Sequence, residues 1–184
     1  MRLFFSIDPP QDFKNEVEKI QAGLRNRIAG TFVDPKVFHV TTLFLGNVLS
    51  HRVVKVSRAA AGVSGRISPF TLVLQGVGFV NGGLAVIFEE NAAFSGLSES
   101  LRQSLKDTVN AKLMDWHEPH LTLLRYKKGA GEKALPNLAV PSEVTGLSFL
   151  ASSFYLVEST LTSEGPRYRN VERFDLAGNA KMSR

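Results

Sequence analysis

The sequence has no cysteine among its 184 residues, which excludes disulfides and cysteine-ligated zinc. No stretch approaches the roughly 20 apolar residues of a membrane-spanning helix. The apolar run Leu3-Phe4-Phe5-Ser6-Ile7 ends at Asp8 and two prolines, too soon for a signal peptide. No membrane association is therefore expected, and the protein is placed in the cytoplasm. Acidic residues are outnumbered by basic ones, giving a net charge of +5 and a pI of about 9.6. That excess would attract a phosphate-bearing partner, but many proteins of ordinary function are as basic. The hydrophobic fraction of 43% and charged fraction of 21% are those of a globular chain. The length suits one domain, residues 1–184, with a core large enough to need no covalent staple.

Hydrophobic periodicity orders the chain. Residues 2–8 read as a buried strand ended by Pro9-Pro10. Phe13, Val17, Ile20, Leu24 and Ile28 share one helical face, predicting a helix from Asp12 to Ile28. A strand through Phe38–Leu45 ends at Gly46-Asn47, and Ser50 is a candidate cap for a short helix with Val53, Val54 and Ala60. Phe70–Phe79 reads as a strand, and Asn81-Gly82 as the turn of a hairpin into Leu84–Glu90. Phe94, Leu97, Leu101, Leu105 and Val109 form a second helical stripe, followed by the strand Pro119–Arg125. A Gly/Lys/Pro-rich loop covers 127–141, two β-rich segments span 144–158 and 166–176, and the tail 178–184 is expected to fray.

A shift of 81 residues, without gaps, lays the first β-α-β unit on the second. Leu3 meets Leu84, Phe5 meets Val86, Phe13 meets Phe94 and Leu24 meets Leu105. In the same register His39 meets His120 and Thr41 meets Thr122. Core positions match by periodicity alone; a His-x-Thr landing on a His-x-Thr does not. The expected fold is α+β: two pseudo-symmetric lobes of mostly antiparallel sheet with outer helices around a central cleft. The lobes are built around repeat units 1–46 and 82–126.

Strand side chains alternate faces. His39 and Thr41 therefore point the same way, as do His120 and Thr122, while Val40, Thr42 and Phe44 point oppositely. Two imidazoles across a groove suit phosphodiester cleavage. A neutral ring takes a proton from the attacking oxygen and a protonated ring supplies the departing one; a free pKa near 6.5 places both states within reach. Threonine hydroxyls can donate to the non-bridging phosphate oxygens as charge builds. Paired histidines can also hold zinc, but no third ligand stands at a regular spacing, so no metal and no cofactor is expected. His51 reads as the start of a surface helix and His117 as a loop residue.

The segments His39-Val40-Thr41-Thr42-Leu43-Phe44-Leu45-Gly46 and Pro119-His120-Leu121-Thr122-Leu123-Leu124-Arg125 resemble the two signatures of the 2H phosphoesterase superfamily. Glu158-Ser159-Thr160-Leu161 with Gly165 and Tyr168 resembles the C-terminal pattern of one branch. That branch is the RNA 2′,3′-cyclic phosphodiesterases, also called 2′-5′ RNA ligases. Thr42, Leu43 and Leu124 depart from the usual pattern, bearing on contacts to flanking phosphates. The resemblance implies hydrolysis of a 2′,3′-cyclic phosphate at an RNA end to a 2′-phosphomonoester, with 2′-5′ ligation possible in vitro. It implies His39 as proton donor, His120 as proton acceptor, and Thr41 and Thr122 as phosphate ligands. By analogy Phe44 and Arg125, both at His+5, clasp the terminal base, and Tyr168 with Arg167 or Arg169 borders the cleft. Strict alternation instead puts Phe44 in the core and Arg125 on a solvated rim, so the clasp requires a bulge or strand end near Gly46 and Tyr126.

Other readings stay open. The same site could act on small cyclic nucleotides or 2′-5′ oligonucleotides. The chain could be a non-catalytic RNA-binding module, or, least in keeping with the residues, a metal-dependent hydrolase. The partner is expected to be RNA with a cyclic phosphate end or a related small nucleotide, and the protein a monomer.

Overall fold

The computed structural model describes residues 1–25, 27–80, 82–109, 118–126, 146–162 and 165–177. His117, Asn81, the loop 127–141 and the tail 178–184 lie outside them. Among the described residues nine strands form one sheet. They are β1 (Arg2–Ile7), β2 (Thr31–Phe32), β3 (Val40–Asn47), β4 (Phe70–Val80), β5 (Gly83–Phe88), β6 (His120–Arg125), β7 (Ser148–Ala151), β8 (Ser153–Thr162) and β9 (Gly165–Asp175). The helices are α1 (Gln11–Arg25), α2 (Val53–Ser64) and α3 (Ala92–Leu105). No helix among the described residues is long and apolar enough to cross a membrane.

Sequence patterning accounts for most of these elements. Phe13, Val17, Ile20 and Leu24 are buried along α1, which stops at Arg25; Ile28, three residues beyond, is still buried. Asn91 caps α3 by accepting from the backbone N–H groups of Ala93 and Phe94 at 3.0 Å, a standard way to satisfy two orphan donors. Ser50 does not cap α2. It begins a 3₁₀ turn, Ser50–Arg52, that runs straight into the helix without a side-chain cap bond. β4 and β5 pair as the predicted hairpin, Val80 opposite Gly83, with Gly82 at φ 75° in the turn. That left-handed conformation carries little penalty for glycine.

The sheet order is β7-β4-β5-β6-β3-β1-β8-β9, with β2 added to β6. Every described pairing is antiparallel. The order reads as a palindrome about the β6–β3 seam: β5 and β1, from the two repeat units, flank it symmetrically. At the seam Val40 pairs with Leu121, two positions that the 81-residue shift equates, so the pseudo-two-fold passes between them. The helices cross this axis. Phe13 of α1 contacts Phe88 and Phe149 of the second half, at ring distances of 5.9 and 4.7 Å. α3, from the second repeat, packs against β3 of the first and against α2.

Candidate active site

The β3–β6 seam sets the paired histidines. His120 opens β6, and His39 immediately precedes β3. Each ring is fixed in the same way: His39 Nδ1 lies 2.8 Å from the Val37 carbonyl oxygen, and His120 Nδ1 lies 2.8 Å from that of Glu118. A carbonyl only accepts, so each Nδ1 carries hydrogen and donates. In a neutral ring Nε2 then holds the lone pair. Val37 ends a 3₁₀ turn, Pro35–Val37, that Asp34 caps through the Lys36 N–H at 3.0 Å. The backbone thus settles the tautomer of both rings.

Both histidines, Thr41 and Thr122 line one cleft of about 820 Å³. Alternation alone would stop there, but each strand is irregular at the residue after its threonine. In the β1–β3 ladder Ser6 pairs with Thr41 and Phe5 with Leu43, leaving Thr42 as the extra residue. In the β5–β6 ladder Ala85 pairs with Thr122 and Leu84 with Leu124, leaving Leu123 as the extra residue. These are β-bulges at positions that the 81-residue shift also equates. Each restarts the alternation, so Thr42 and Leu123 are buried while Phe44 and Arg125 turn into the cleft. The alternation-based placement of Phe44 in the core is corrected for that reason.

The bulged Leu123 carbonyl is satisfied twice, by the Val33 N–H at 2.9 Å and by Gln21 Nε2 at 2.9 Å. Gln21 is fully buried on α1 and also donates to the Val33 carbonyl at 2.7 Å. Its role is invisible in the sequence, where a glutamine on a helix reads as solvated.

His39 stands in an aromatic setting. The Phe4 ring lies 5.1 Å from it and the Tyr168 ring 5.2 Å, edge-on, while Phe4 and Tyr168 meet each other at 5.4 Å. Phe44 stacks on Phe4 at 5.9 Å, and the Arg2 guanidinium lies 5.0 Å over the Phe44 ring. Burial lowers the His39 pKa below 6.5, and the Arg125 guanidinium and His120 push it the same way; the Val37 carbonyl and Asp8 oppose them. This balance favours a neutral His39 at pH 7.

Tyr168 lines the cleft, but Arg167 and Arg169 do not. On β9 they alternate to the opposite face, where Arg169 pairs with Glu158 at 2.7 Å. His51 sits exposed on its 3₁₀ turn. Sequence reasoning missed Phe4 and Arg2. The unbroken run Leu3-Phe4-Phe5 gives no alternation from which to choose a face, because β1 is buried on both sides. It also missed Ser95, Glu99 and Arg102, one side of α3 that borders the cleft and reads as an ordinary polar helix face.

Comparison with known proteins places this geometry. The family described as LigT-like phosphoesterase matches over residues 7–85, which include His39 and Thr41. An RNA 2′,3′-cyclic phosphodiesterase of Thermus thermophilus is 28% identical, the match covering 97% of this chain and 91% of that protein. One from Archaeoglobus fulgidus is 28% identical over 95% of this chain and all of its own length. Among solved structures, E. coli LigT complexed with 3′-AMP superposes with a TM-score of 0.80 at 25% identity, covering 95% of this chain and 97% of that one. A T. thermophilus structure gives 0.81 at 25% identity, over 97% and 100%.

Proposed function

We propose that the chain, which is similar to the LigT-like phosphoesterases, hydrolyses the 2′,3′-cyclic phosphate at an RNA end to a 2′-phosphomonoester. The observation that carries the reading is the pair of His-x-Thr units lining one cleft about a pseudo-two-fold. Water attacks phosphorus from the side opposite O3′. His120 Nε2 takes its proton, a P–O bond forms to the water oxygen, and the P–O3′ bond breaks. His39 Nε2–H gives its proton to O3′, leaving the phosphate on O2′. The two rings exchange one proton each and no electrons, so the enzyme needs no redox partner.

Thr41 and Thr122 donate to the non-bridging oxygens, where negative charge grows in the transition state. The tautomer set at Nδ1 gives each ring its function: Nε2 is the exchangeable position in both. Because burial lowers the His39 pKa, the anionic phosphate is what stabilises its proton, so the donor is armed by the substrate itself. Phe44 and Arg125 take the terminal base between a ring face and a guanidinium plane, and Tyr168 fixes the His39 ring. The protein acts as a monomer in the cytoplasm, without metal; in 2′-5′ ligation in vitro the 5′-hydroxyl of a second RNA takes the place of water, giving its proton to His120 while O3′ leaves with the proton of His39.

The test is phosphorus NMR of adenosine 2′,3′-cyclic phosphate incubated with the protein in EDTA. A 2′-phosphomonoester is expected as sole product. His39→Ala and His120→Ala should each lower kcat by about 100- to 10,000-fold. A 3′-monoester would overturn the assigned regiochemistry. No turnover by the parent, with RNA still bound, would favour a non-catalytic binding module.

A further inference from the structure

A second hollow, of about 240 Å³, adjoins the cleft at His39 and shares Phe4, His39 and Tyr168 with it. Its floor is β1, through Ser6 and Asp8. One wall is the Lys36–Phe38 turn, the other the β8–β9 surface with Tyr155 and Asn170. We propose that this hollow seats the nucleoside on the 5′ side of the terminal cyclic phosphate, making the enzyme selective for RNA ends over mononucleotides. The inference rests on the hydrolysis proposed above.

The argument is one of connectivity. If His39 protonates O3′, the terminal ribose lies against the His39 ring. The O5′ of that ribose carries the phosphate joining it to the preceding nucleotide, so the chain must leave along the His39 side of the cleft. The hollow is the space next to that ring. Tyr155 and Tyr168 supply aromatic surface on which any base can stack. Ser6, Asp8 and Asn170 supply hydroxyl, carboxylate and amide groups that can meet a base edge or a ribose hydroxyl. Asp8 is tied by Lys14, which holds its carboxylate in place at the end of β1. At the rim, the exposed Lys36 has no ion pair among the described residues and is placed to meet the joining phosphate. Ser6, Asp8, Lys36, Tyr155 and Asn170 lie outside the larger cleft, so none of them is needed to hold a cyclic mononucleotide between His39 and His120.

The test compares kcat/KM for adenosine 2′,3′-cyclic phosphate and for the dinucleotide ApA bearing the same cyclic end. The dinucleotide should be favoured about tenfold, the order expected for one stacked base. Tyr155→Ala and Lys36→Ala should each erase most of that advantage and leave mononucleotide turnover unchanged, which also reports that the variants fold. Equal kcat/KM for the two substrates in the parent, or an advantage that survives both substitutions, overturns the inference while leaving the hydrolytic reading intact. If the parent turns over neither substrate, that reading fails and the inference falls with it.

Discussion

His39 carries conflicting influences, and their balance can be measured. Burial, Arg125 and His120 pull its pKa below 6.5 against the Val37 carbonyl and Asp8, which favours the neutral ring at pH 7. A bound phosphate monoanion or dianion acts in the opposite direction, since an adjacent negative charge favours imidazolium. The His39 ring resonances, assigned by their loss in His39→Gln, should therefore titrate with a midpoint below 6.5 in the free protein. They should move to higher pH when a 2′-nucleotide is added. A free midpoint at or above 6.5 would contradict the depression by burial, and a downward shift with nucleotide would contradict the donor role. The same depression has a sign for stability. Between the lowered folded pKa and about 6.5 the unfolded chain binds more protons, so this group's contribution is present above that window and is lost as pH falls through it.

At the scale of the element, the two bulges decide what the cleft contains. Replacing the donor that holds one of them gives a direct check. Gln21→Leu removes hydrogen bonds to the Leu123 and Val33 carbonyls; the Leu123 carbonyl keeps the Val33 N–H, but the Val33 carbonyl loses its side-chain donor, and because such a loss costs on the order of 1–3 kcal/mol, urea unfolding should show a loss of about 2 kcal/mol. Arg125 lies two residues past that bulge, so KM should rise more than kcat falls. Destabilisation with both kinetic constants unchanged would show that the bulge holds its shape without Gln21. Close packing restricts this region further: a Cβ on Gly83 would stand 2.4 Å from the Leu124 carbonyl oxygen, so β5 can approach the bulged strand only with glycine there.

The same elements show what was legible in the sequence. Helix periodicity gave α1 and α3, and the matched His-x-Thr spacing gave the four side chains of the cleft floor, because both are fixed by local repeat geometry. The register shifts at Thr42 and Leu123 were not legible. A bulge is settled by what pairs across the ladder, and neither residue is a glycine or a proline that would mark one. Alternation misplaces Phe44 for this reason: it lines the cleft instead of the core. Phe4 and Gln21 escaped notice because their roles depend on long-range contacts, with Tyr168 and Leu123 respectively.

Across the whole molecule, the crossing of the helices ties the two repeats together. α1 leaves the first repeat to bury Phe13 against Phe88 and Phe149 of the second, and α3 returns to pack on β3. Buried side chains from both halves form a common core cluster. We propose that residues 1–184 fold as a single cooperative unit. Far- and near-UV circular dichroism should then give coincident urea transitions, as expected of a two-state domain. Phe13→Ala should move both together, at a cost of about 3–5 kcal/mol. A second transition confined to one half would refute the proposal.

The bonds from the two histidine Nδ1 atoms to the carbonyls of residues 37 and 118 have an evolutionary consequence. Every amino acid brings a main-chain oxygen, so no substitution at Val37 or Glu118 that keeps the local backbone path can take these acceptors away. The proton arrangement of both rings is insulated from mutational drift at those sites. New substrate preferences can therefore arise by changing the surrounding walls while the two oriented imidazoles are inherited intact.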